Sequence, residues 1–233
     1  TGGILISSCS GRSTAGSGPK TTNGIKAGSL SADLVIGGGG MGGCAAAIAA
    51  CRNGLKVIMT EETCWIGGQV SQQGVPPDEH QWIESYGAPA SYRNFRIKVR
   101  DYYKRNYSLT ADAINREYLN PGDGLVSRLC HEPYVAVAVL SEMLAPFISS
   151  GKLILLTEYK IRSADTDRDM IRSLEAINLL NGSTITLNAS WFVDATECGD
   201  LLPLTGTEYI TGTESKSETN ELHAPEKADS KNN

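Results

Sequence analysis

Between residues 37 and 43 the chain reads Gly-Gly-Gly-Gly-Met-Gly-Gly. Glycines cluster like this where a backbone must turn left-handed or come closer to another group than a Cβ allows. The flanking residues say which kind of turn this is. Upstream, Asp33-Leu34-Val35-Ile36 is a short apolar run consistent with a buried strand. Downstream, Cys44 to Arg52 is almost all small residues and reads as a tightly packed helix, with Asn53-Gly54 as a left-handed stop. Leu55 to Thr60 is a second strand, ending at Glu61. Strand, glycine turn, helix and strand form a βαβ unit, whose crossover is expected to be right-handed.

Such a turn suits the pyrophosphate of a dinucleotide. One glycine allows the tight turn, a second lets the phosphates approach, and a third lets helix and strand pack. The helix N-terminus then holds the anion through its free amides and its dipole. Two frames fit G-x-G-x-x-G: Gly37, Gly39, Gly42 or Gly38, Gly40, Gly43. Counted from Asp33 at the head of the strand, the second is preferred. Glu61, at the end of the second strand, is placed to accept both hydroxyls of an adenosine ribose, with Glu62 as the neighbouring alternative.

The motif D-L-V-I-G-G-G-G-M-G-G, followed by the Glu61-Glu62 pair and W-I-G-G-Q, resembles the opening of FAD-dependent oxidoreductases of the glutathione-reductase-like two-dinucleotide-binding superfamily. Val193-Asp194-Ala195-Thr196, followed by Gly199-Asp200, is similar to the second FAD motif of that group. More narrowly, W-I-G-G-Q, P-P-D-E-H, V-S-R-L-C-H-E-P and Y-I-T-G-T-E-S resemble one group of bacterial FAD-dependent oxidoreductases over roughly residues 32–226. The resemblance implies an α/β, Rossmann-like FAD-binding domain with a parallel sheet, a β-meander and a helical insertion on the substrate side. It implies FAD as cofactor and a hydride taken from a small organic substrate. It places Gly67 and Gly68 close to the flavin or pyrophosphate, Gln69 at the ring system, and Thr196, Gly199 and Asp200 near the FAD. It also implies that the chain is a fragment of a longer enzyme. Two positions depart from the pattern: Gly37 replaces an apolar residue at the end of the first strand, and Glu197 replaces a glycine.

The expected organisation follows. Residues 1–31 read as a signal remnant and flexible linker, rich in Gly, Ser and Thr from residue 10. Residues 32–70 and 151–213 form the FAD-binding domain, and 71–150 the helical insertion. Residues 214–233 are a polar tail expected to be disordered in isolation. In the insertion, Tyr92, Phe95, Val99, Tyr102 and Tyr103 share one face of a helix over Ser91–Tyr107. A second helix starts after His131-Glu132-Pro133, with proline in its first turn. Leu153–Leu156 and Trp191–Val193 read as buried strands. Residues 158–187 form an antiparallel meander broken at Asp165–Asp167 and Asn181-Gly182.

A net charge of −5 without a basic stripe argues against a nucleic-acid partner. No apolar stretch is long enough to span a bilayer, and no Cys-x-x-Cys pair signals a metal site. Ile6-Ser7-Ser8-Cys9 is either the end of a lipoprotein signal, with Cys9 as lipid anchor, or a chance tail. The first implies a periplasmic or membrane-anchored protein, the second a cytoplasmic one. A non-catalytic, lipid-anchored binding or carbohydrate-processing accessory protein is the alternative to an enzyme. His80 and His131 are the candidate general bases. The Arg93, Arg96, Lys98, Arg100 run reads as a solvated helix face, with attraction of an acidic substrate as the sharper alternative.

Overall fold

The structure, a computed structural model, describes residues 28–231. The Cys9 reading and most of the N-terminal linker lie outside the described residues. The elements are β1 (Gly28–Ser31), β2 (Leu34–Gly37), α1 (Met41–Arg52), β3 (Val57–Glu61), α2 (Ala90–Asn106), α3 (Ala111–Asn115), α4 (Pro133–Ser149), β4 (Leu153–Thr157), β5 (Tyr159–Asp167), β6 (Met170–Asn178), β7 (Thr184–Asn188), β8 (Trp191–Asp194), α5 (Leu201–Thr205) and α6 (Lys216–Thr219).

The central sheet runs β4-β3-β2-β8, all parallel. Every residue of β2 and β3 is buried, as expected of a parallel sheet covered on both faces. Strand alternation assigns the two faces. Leu34, Ile36, Val57, Met59 and Leu153 pack on α1, α2 and α4. Val35, Ile58 and Leu156 pack on the meander β5-β6-β7 and on Leu201 of α5. The result is three layers: helices, parallel sheet, mixed sheet. Between β2 and β8 the strand order switches direction, from β3 and β4 on one side of β2 to β8 on the other. Such switch points open the crevice in which α/β sheets bind ligands.

Helix α1 starts at Met41 rather than Cys44, drawing Gly42 and Gly43 into its first turn. Packing against the sheet overrides the poor helix propensity of glycine. The meander is antiparallel as expected, but its first turn lies past Asp167. β5 pairs with β6 as far as Asp167 with Met170, and Arg168 takes the left-handed conformation in a two-residue turn.

Two segments expected to lack order are folded. Gly28–Ser31 lies inside the expected linker, yet it pairs in parallel with β7 as the edge of the mixed sheet. Its local pattern carries no signal, because only Leu30 turns towards the core. The polar tail folds back, with Thr213 bridging Asp229. Ser215 and Glu218 close a capping box at the head of α6, the Glu218 carboxylate accepting from the Ser215 amide and hydroxyl. That S-x-x-E spacing was visible in the sequence. Hydrophobicity alone hid it.

Arg96 and Arg100 are neither a solvated face nor a free anion trap. Arg96 is 2% exposed and pairs with Glu79 and Glu84. Arg100 pairs with Glu84 at 2.5 Å and donates to the Leu119 carbonyl at 2.9 Å. Lys98 pairs with Glu142 at 2.6 Å. The Glu79 and Glu84 pairs tie the 78–89 loop to α2, and the Lys98 pair ties α2 to α4. Replacing Arg96 with Ala leaves buried Glu79 without its cation, Glu84 keeping Arg100, and is expected to lower unfolding free energy by about 3–5 kcal/mol. Lys98→Ala, at a half-exposed pair, is expected to cost less than about 1 kcal/mol. Urea denaturation of both variants checks the contrast.

Candidate functional site

The site is built at the carboxyl end of β2. Gly37 pairs in register with Thr60 on one side and Asp194 on the other. A Cβ there would come within 3.0 Å of Leu201 Cδ1. The missing side chain thus makes room for α5 and leaves the strand regular. Gly38 has φ +100°, and a Cβ on it would collide with the Ala195 carbonyl. A Cβ on Gly43 would collide with the Gly38 carbonyl, whereas one on Gly42 would meet nothing within 4 Å. The left-handed turn and the close helix-to-strand contact therefore fall on Gly38 and Gly43. Gly40 is the N-cap of α1 and offers no side-chain cap, and no acidic residue lies in the first turn. The first-turn amides are left for an anion.

Two distant segments close on this turn. The Gly67 amide donates to the Gly39 carbonyl at 2.9 Å, and Gly67 bridges Gly40 in parallel. Gly67 has φ +113° and Gly68 +54° at the head of a single 3₁₀ turn, Gly68–Val70. Gln69 follows, its amide donating to the Pro76 carbonyl at 3.3 Å. From the other side, the Ala195 amide donates to the Gly37 carbonyl at 2.7 Å. Asp194 organises the loop behind it. Its Oδ1 accepts from the Thr196 amide and hydroxyl, and its Oδ2 from the Leu201 amide at 2.9 Å. The Thr196 hydroxyl in turn accepts from the Asp200 amide at 2.7 Å. Sequence reasoning placed Asp194 in a motif without giving it this role. The Asp200 carboxylate turns away, 3.8 Å from Lys160. Gly199 takes φ +69° in the same loop.

Glu61 is buried at the end of β3. Its Oε2 accepts from the Gly39 amide at 3.1 Å, and its Oε1 from the Thr63 amide and hydroxyl at 2.9 and 2.8 Å. Burial raises its pKa above the usual 4.5, while the bonds from Thr63 and Gly39 pull it back. Three of the roughly four acceptor positions of a carboxylate are filled, which leaves about one for a ribose hydroxyl. Glu62 lies apart, paired with Lys160 at 3.0 Å. A cavity of about 670 Å³ opens at the head of α1, between α1, α2 and α4. Gly40, Gln69, Thr196 and Glu197 form its polar end, and Tyr92, Phe95, Leu140 and Met143 its apolar wall. Cys44 also lines it, but burial pushes its thiol up to about 12, so it packs as an unionised group.

A family model described as FAD dependent oxidoreductase matches residues 33–230. The chain belongs to the FAD-dependent oxidoreductase family. No curated protein sequence matches it significantly. Among solved structures, it is similar to E. coli quinol fumarate reductase FrdA (18% identity, TM-score 0.44, covering 72% of this chain and 33% of that one). It is also similar to the glycerol-3-phosphate dehydrogenase from Bacillus halodurans complexed with FAD (17%, 0.44, 71% and 34%). A third is L-proline dehydrogenase from P. horikoshii (16%, 0.39, 77% and 25%). The chain spans between a quarter and about a third of the length of these structures.

FAD is therefore the cofactor, and the residues present fit it: the turn is lined by backbone that a Cβ would block, and the helix head above it has no cap of its own. The structure brings neither candidate histidine to the cavity wall. His80 is exposed and lies against Trp82 and Tyr86, with ring centroids 6.2 and 6.1 Å away. His131 is held by Leu129, its Nδ1 2.9 Å from that carbonyl, with its buried Nε2 lacking a hydrogen-bond partner. Burial lowers the His131 pKa below 6.5, against a smaller upward pull from the Leu129 carbonyl and from Glu79. A depressed folded-state pKa means that the neutral ring favours the fold above pH 6.5, and that this contribution is lost as pH falls through the lower folded value. Urea midpoints between about pH 5 and pH 7.5 are expected to fall on acidification, with a shallower slope in His131→Phe.

Proposed function

We propose that the chain is the FAD-holding part of a flavin-dependent oxidoreductase of the glutathione-reductase-like superfamily, from a bacterial source, and that it works on a small organic substrate. The observation that carries this reading is the convergence of three glycine-dependent backbone segments on one uncapped helix N-terminus at the β2/β8 switch point. In this reading Gly38, Gly40 and Gly43 are the fingerprint glycines, and the amides heading α1 hold the pyrophosphate. Glu61 accepts a ribose hydroxyl at its one remaining acceptor position. Gly67, Gly68 and Gln69 close over the cofactor from one side. Thr196 does so from the other, its loop braced by Asp194, Gly199 and the Asp200 amide. The apolar wall of Tyr92, Phe95, Leu140 and Met143 excludes water beside it. FAD, when bound, supplies the redox chemistry by taking up a hydride and passing electrons on.

We further propose that residues 32–70 and 151–213 form the cofactor domain, that 71–150 face the substrate, and that more chain completes the enzyme. The edge of the central sheet supports this. Among the described residues β8 is paired on one side only, and its Trp191 is 70% exposed. Further chain pairing with β8 would cover that edge.

The purified chain is expected to show oxidised-flavin absorbance or to acquire it on reconstitution with FAD. A colourless chain that no excess of FAD reconstitutes would overturn the reading. Gly43→Val drives a side chain into the Gly38 carbonyl and is expected to abolish FAD binding. Glu61→Ala is expected to weaken binding about 10- to 100-fold by removing one charge-assisted hydrogen bond and unpinning Gly39. Flavin fluorescence titration measures both.

A further inference from the structure

We propose that Glu197 is a stand-in anion for the FAD pyrophosphate. Its carboxylate lies over the cradle at the head of α1, must leave when FAD binds there, and so sets how tightly the chain takes its cofactor. The inference rests on the reading of this cradle as the pyrophosphate site.

The head of α1 lacks any anion of its own. Gly40 has no side chain to cap it, and the first turn carries no acid. Unpaired amides and the positive end of the helix dipole attract a negative group there. A carboxylate from the far end of the domain answers. Glu197 Oε1 lies 2.9 Å from where a Gly40 Cβ would stand, and it would collide with a Cβ on Gly68. It therefore sits over the seam where these two glycines meet, a Cβ on Gly68 being only 3.2 Å from the Gly40 Cα. A side chain at either position would push the carboxylate aside.

Nothing else explains its place. Among the described residues no hydrogen bond or ion pair holds Glu197, and Lys160 is taken by Glu62 and Asp200. The side chain is exposed, so it swings away at the cost of little more than a rotamer change. Its neighbours are fixed: Thr196 is pinned by Asp194, and Ala195 by Gly37. The backbone thus presents the carboxylate at the cradle while leaving it free to move. A pyrophosphate and a carboxylate cannot share the seam, both because their atoms overlap and because like charges a few ångströms apart repel.

The test compares the whole chain with Glu197→Gln, which keeps the shape and removes the charge. FAD, ADP and adenosine are titrated into each, and thermal melts are recorded without ligand. Glu197→Gln is expected to bind FAD and ADP about three- to tenfold more tightly. Adenosine, which lacks phosphates, is expected to show no gain. The ligand-free variant is expected to melt about 1–4 °C lower, having lost a negative charge near the positive end of α1. Unchanged or weaker binding of FAD and ADP by a folded variant, while the parent chain binds both, overturns the inference and leaves the cofactor site standing. If neither chain binds FAD or ADP, the reading of the cradle falls and takes the inference with it.

Discussion

Everything at the site depends on backbone lying against backbone at the end of β2. A Cβ on Gly38 would strike the Ala195 carbonyl, and one on Gly43 would strike the Gly38 carbonyl. These contacts set how closely α1 approaches the sheet and how closely the loop after β8 approaches the turn. No rearrangement of neighbouring side chains could relieve such clashes, because the opposing atoms are main chain. The crevice follows from them: α1 arrives head first, its amides uncapped, between strands whose connections leave the sheet in opposite directions.

The two faces of the sheet divide the work. The mixed sheet and α5 cover one face with apolar contacts and anchor the loop that carries Thr196. The other face holds α1, α2 and α4, and the cavity opens among them. Burial of Arg96 and Arg100 with Glu79 and Glu84 fixes the loop before α2 without exposing a cation to the cavity. Charges that read as a solvated helix face, or alternatively as an attractor of an acidic substrate, are instead paired with carboxylates.

Much of this was legible beforehand, for particular reasons. β2 and β3 read as strands because burial on both faces demands unbroken apolar runs, and α2 because Phe95, Val99 and Tyr103 recur on one face. Other parts were not legible. Nothing local in Gly28–Ser31 marks a strand, since its order comes from the open edge of β7. Glu61 was visible as an acid at a strand end, but not the three bonds that already occupy most of its carboxylate. Glu197 was visible only as a departure from a motif. That its carboxylate lies over Gly40 and Gly68 depends on residues brought together from three parts of the chain.

The sequence alone determined that this chain builds a βαβ unit with a glycine turn and a terminal acid, and from its motifs that the ligand is FAD. Periodicity and steric demand are local properties, written in residue types a few positions apart. Which glycine frame makes the close contacts, where Asp194 directs its oxygens and what lies over the head of α1 were decided only in the tertiary structure. The contacts of Gly38 with Ala195 and of Glu197 with Gly40 and Gly68 join segments more than a hundred residues apart, and no local pattern records them.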